Sequence, residues 1–104
     1  MAKLYISEYS TYGVDPNTGE AVGKEPSLDQ APVTVGAGSL QGAAFSASTR
    51  LVRIHTDVIC SIVFGTPGGP NNPVATANNK RLAANQTEYF AVSPGDTVAV
   101  ITNT

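Results

Sequence analysis

Four side chains with chemical potential fall within seven residues: His55, Asp57, Cys60 and Ser61. Nucleophile, base and orienting acid are the types that nucleophilic catalysis combines. Their spacing argues against that combination. On an extended strand His55 and Asp57 share a face, but Ser61 is six residues from His55, roughly 20 Å along the backbone. The plainer reading is a solvent-facing imidazole, a turn-initiating aspartate and Cys60 as a small core residue.

Other constellations are weaker still. With one His and one Cys in the chain, an intramolecular zinc site lacks donors. Asp15, Asn17, Gly19 and Glu20 resemble fragments of an oxygen-ligand calcium loop, without its twelve-residue pattern ending in Glu. The glycines of residues 65–73 lack the lysine ending of a phosphate-binding loop, and no helix follows them. Asn85, Gln86 and Thr87 match a glycosylation acceptor, which without a secretory route marks only an exposed turn. Tyr5, Tyr9, Tyr12 and Tyr89 could stack on sugars or bases, although strands and interfaces are the commoner settings for Tyr. The sequence therefore predicts no enzyme and no catalytic, cofactor or metal site.

The elements that position these residues follow from composition and periodicity. A chain of 104 residues fits one domain. Its 41% apolar and 13% charged residues are those of a folding chain rather than a disordered or coiled-coil one. Ten Gly and seven Pro, with abundant Thr, Ser, Asn and Val, favour short strands separated by turns. The net charge of −2 lacks the basic stripe that nucleic-acid binding requires. Residues 1–30 carry −3 and residues 31–104 carry +1. No run reaches about 18 apolar residues, so no membrane-spanning helix is expected, and the start shows no signal-peptide pattern, which predicts synthesis in the cytoplasm.

Lys3–Ser7 alternates and reads as a short edge strand. Periodicity then disappears over the 22 residues from Tyr9 to Gln30, which predicts an extended acidic arm ordered against something outside its own subunit. Residues 31–104 should form the body. Strands are expected at residues 33–35, 41–46 and 51–56, with a central strand over residues 57–64 that is apolar on both faces. A loop follows at residues 65–73, then weak strands at residues 74–77 and 80–83, and finally a hairpin joining residues 88–92 to 97–102 through Ser93–Asp96. The predicted fold is all-β, a single-domain two-sheet sandwich of jelly-roll or Greek-key type with an N-terminal arm.

The segments Lys3–Tyr9, Thr49–Asp57, Ile62–Gly65 and Asn85–Phe90 through Pro94–Gly95 resemble small virion proteins of tailed bacteriophages. Those proteins are similar to capsid decoration or cement proteins, β-sandwiches that tie neighbouring major capsid subunits together, commonly as trimers. The resemblance implies a structural protein on the capsid surface of a virion, with the major capsid protein and its own copies as partners and no nucleic acid or membrane. The residues expected at its interfaces are Leu4, Tyr5, Ile6, Tyr9 and Tyr12 from the arm and Val58, Cys60, Ile62 and Phe64 from the apolar central strand. A neck, tail or fibre component is the alternative within the particle. A carbohydrate-binding module is the alternative from another class.

Overall fold

Strands form where β-branched and aromatic residues alternate with polar ones, because such side chains suit a pleated, half-buried surface. A computed structural model describes residues 2–14, 21–23 and 25–103, with only the backbone described at 12–14 and 21–23. The described residues contain no helix. Its strands are β1 (Lys3–Tyr9), β2 (Tyr12–Val14), β3 (Ala21–Gly23), β4 (Leu28–Asp29), β5 (Val33–Thr34), β6 (Leu40–Gln41), β7 (Leu51–Thr56), β8 (Cys60–Gly65), β9 (Lys80–Leu82), β10 (Thr87–Ala91) and β11 (Thr97–Thr102).

The first sheet has the order β10-β7-β1-β4, with β5 also pairing β1, and the second has the order β6-β11-β8-β9. All pairings are antiparallel. The period of two then sorts each strand into an inward and an outward set. Leu4, Ile6, Val52 and Ile54 of the first sheet meet Cys60, Ile62, Val98 and Val100 of the second, and Val33, Val35, Phe45 and Leu82 complete the core. The molecule is thus two antiparallel sheets packed together around one apolar layer. β2 and β3 form a separate two-stranded sheet, and β3 approaches β7.

Strand β7 spans residues 51–56 as its alternation predicts, and residues 65–73 form a loop. Five expectations are corrected. The central strand expected over residues 57–64 begins only at Cys60, because residues 57–59 turn the chain from one sheet to the other. β1 is an interior strand, paired with β7 on one side and with β4 and β5 on the other. A boundary at residue 30 would therefore cut a core strand away from its sheet. Residues 42–46 are not a strand, because their backbone is engaged irregularly. Gly42 N still donates to Val98 O at 3.0 Å in the β6–β11 register, but the Thr97 hydroxyl then donates to Gly42 O at 2.8 Å and Phe45 N donates to Asp96 O at 2.7 Å, out of that register. Residues 74–77 are likewise not a strand. Nor do β10 and β11 form a hairpin, for β10 pairs with β7 and β11 with β6 and β8. Ser93–Asp96 instead carries the chain from one sheet to the other, with Gly95 at φ 85°.

Candidate functional site

The cluster around His55 separates across the fold. His55 points outward from β7, where its Nδ1 lies 2.8 Å from the Thr87 hydroxyl. Asp57 lies in the crossover between β7 and β8, its amide bonded to Lys3 O at 3.1 Å. Cys60 points into the core and is fully buried, 3.4 Å from the Thr56 hydroxyl. Burial pushes the Cys60 thiol up from its usual value, so it is a poorer nucleophile than a free thiol. Ser61 points to the other side of β8 and accepts a 2.7 Å bond from Asn103 Nδ2. The described residues hold no group of three His, Cys, Asp or Glu suited to a metal, and Asp15, Asn17, Gly19 and Glu20 lie outside them.

The first sheet instead assembles a polar and aromatic outer face. Register sets Tyr5, His55 and Thr87 in one row across β1, β7 and β10. Ser7 and Arg53 are paired in the next row, with Asp29 of β4 on one flank and Tyr89 of β10 on the other. Neighbours in such rows are close enough to interact directly. The Tyr5 and His55 rings are 6.2 Å apart and tilted by 46°. Tyr5 is 40% and Tyr89 49% exposed. Hydrogen bonds from Ser27 and Ser7, with a smaller contribution from Arg53, hold the Asp29 carboxyl below its usual value. A shallow depression of about 340 Å³ is lined by Tyr5, Ser7, Asp29, Gln30, Arg53 and His55.

Two side chains of β1 anchor the end of this face. Tyr9 lies on the outer side opposite Leu51 but is buried, and its hydroxyl donates to Glu25 Oε2 at 3.0 Å. Burial, then the Glu25 bond, push its pKa up to about 12. Glu8 points inward and is 4% exposed. Its Oε1 accepts from Ser46 N at 2.8 Å and from the Thr49 hydroxyl at 2.6 Å, and its Oε2 accepts from Gln30 Nε2 at 2.8 Å. Neutral donors thus satisfy a buried carboxylate, as burial of a charge demands.

Of the residues predicted for an interface, Leu4, Ile6, Cys60 and Ile62 fill the core and Tyr9 is buried. Their side chains have no surface left for a partner, which corrects the sequence expectation. Val58 sits half-buried in the crossover, and Phe64 is half-buried against the core. Tyr5 alone of the nine lies openly on the surface among the described side chains, and the Tyr12 side chain is outside them. Sequence reasoning missed Arg53, Asp29 and Glu8. Glu8 continues the inward series Leu4, Ile6, and that parity was the signal for its burial. Arg53 was read only as the polar side of β7, and its alignment with Tyr89 depends on strand order. The chain matches no protein-family model, no curated protein and no solved structure.

Proposed function

We propose that the protein is a structural virion component that docks on an assembled bacteriophage shell and ties neighbouring capsid subunits together. The outer face of the first sheet carries this reading. Tyr and Arg are enriched at interfaces, where they supply contact area and oriented hydrogen bonds. Here Tyr5, Arg53 and Tyr89 are presented on three adjacent strands, β1, β7 and β10. Those three strands lie within segments that resemble small phage virion proteins. The face is shallow, as a protein-docking surface is, rather than a deep cleft of the kind small ligands occupy. Crossings between sheets at residues 57–59 and 93–96 support a jelly-roll or Greek-key winding within the same reading.

The test is co-sedimentation of the purified protein with genome-filled heads of the parent particle stripped of it. The wild-type chain should pellet with heads. Tyr5→Ala combined with Arg53→Ala should weaken that association at least about tenfold, the scale expected for losing two central interface anchors. Recovery with tails alone would move the protein to the neck or tail. Binding to a glycan array, with heads ignored, would turn the Tyr5, Arg53 and Asp29 depression into a sugar platform.

A further inference from the structure

Strand edges present unpaired backbone groups, and proteins blunt them with short length, charge or proline. Most edges here are blunted. β4, β5 and β6 are two residues each, and β9 is three residues with exposed Lys80 and Arg81. β10 is different, with five residues, no proline, no lysine and Glu88 as its one charge. It pairs with β7 on one side. Thr56 N donates to Gln86 O at 3.2 Å and Val92 N to Arg50 O at 3.0 Å, and these bonds fix the parity of the strand. Gln86, Glu88, Phe90 and Val92 turn their backbone groups toward β7, so those of Thr87, Tyr89 and Ala91 face away from the sheet.

Behind this edge the two sheets part around a groove of about 410 Å³, lined by Phe64, Phe90, Val92, Lys80 and Asp96. The Phe64 and Phe90 rings stand 5.0 Å apart at 54°, and both are half-buried.

We propose that β10 pairs antiparallel with β10 of a second copy of this chain, about a two-fold axis at Tyr89, joining two first sheets into one. Parity permits it. Pairing Tyr89 with Tyr89, and Thr87 with Ala91, uses every outward backbone group in about six main-chain bonds. Charge favours a second copy over an unrelated strand. In this register Glu88 of the second copy falls opposite Phe90, on the side that faces the groove, where Lys80 waits at the rim. Symmetry makes the Glu88 and Lys80 contact twice, as an isologous interface requires. Strand pairing with so small a groove buries less than a permanent interface does, so the dimer dissociates on dilution. The two-fold pairing takes the place of the trimer implied by the resemblance, and it is independent of particle binding.

Sedimentation equilibrium of the full chain over a dilution series tests it. The mass should rise with concentration from 10.7 kDa toward twice that value. Ala91→Pro removes an outward amide that β7 does not use, so circular dichroism should show the fold retained while the dimer is lost. Glu88→Lys and Lys80→Glu should each weaken self-association about tenfold, and mixing the two single variants should restore it as a heterodimer. A monomer persisting to about 1 mM, a trimer, an Ala91→Pro protein that still dimerises, or charge variants that fail to rescue each other would each overturn the proposal.

Discussion

Glu8 is a carboxylate enclosed by neutral donors, and its removal would strand the Ser46 amide, whose one partner among the described residues it is. Glu8→Ala leaves the Ser46 amide without the partner it holds at 2.8 Å and takes from the Thr49 hydroxyl its 2.6 Å acceptor, leaving that hydroxyl the Ser46 Oγ at 2.8 Å. An unsatisfied buried donor costs more than the bond itself contributes. The expected loss is about 3 kcal/mol, read as a lower urea midpoint at unchanged slope. Tyr9 makes a pH prediction. Its folded pKa of about 12 lies above the ordinary 10.0, so the unfolded chain releases the phenolic proton first. Tyr9 therefore contributes stability that is complete below pH 10 and declines as pH rises through about 12, with the unfolded state binding fewer protons in that window. Denaturation across this range should show the decline, and Tyr9→Phe should flatten it. Alternation made the inward position of Glu8 legible, but not its donors, which come from 22 to 41 residues away.

At the scale of elements, the sequence tells faces better than partners. β7 was legible because Val52 and Ile54 alternate with Arg53 and His55, a period no helix would produce. The route after β10 was not. A turn such as Ser93–Asp96 serves a hairpin and a crossing between sheets equally well, and only long-range bonds decide between them. Phe45 supplies those bonds, donating its amide to Asp96 O at 2.7 Å and accepting from Gly95 N at 3.0 Å. Gly95 sits at φ 85° with no atom near its missing Cβ, so a side chain there would meet backbone strain rather than a clash. Gly95→Ala should cost about 1 kcal/mol, measurable as a small drop in thermal midpoint with the fold retained.

For the whole molecule, the decisive fact is that β1 belongs to the body. The aperiodic and acidic stretch after it invited a division into arm and domain, because local composition does not show which strand fills the middle of a sheet. β1 supplies Leu4 and Ile6 to the core and pairs with three other strands. Removing residues 1–9 deletes both the apolar contribution and the template for β4, β5 and β7. Such a truncated chain should lose its cooperative unfolding transition altogether, checked by near-ultraviolet dichroism and calorimetry. A protein of this size buries a smaller fraction of its surface than larger domains do, and it has little margin to lose a central strand.

The core thiol of Cys60 turns this architecture into something a chemist can time. It is fully enclosed and is the one cysteine in the chain, so an alkylating reagent reaches it only through molecules that have opened. When closing outpaces labelling, the observed rate divided by that of an unfolded thiol is the population of open molecules. Native-state labelling should therefore follow the opening free energy, accelerating about tenfold for each 1.4 kcal/mol of destabilisation. The chain carries its own stopwatch, and Glu8→Ala and Gly95→Ala can be ranked on it in water without denaturant.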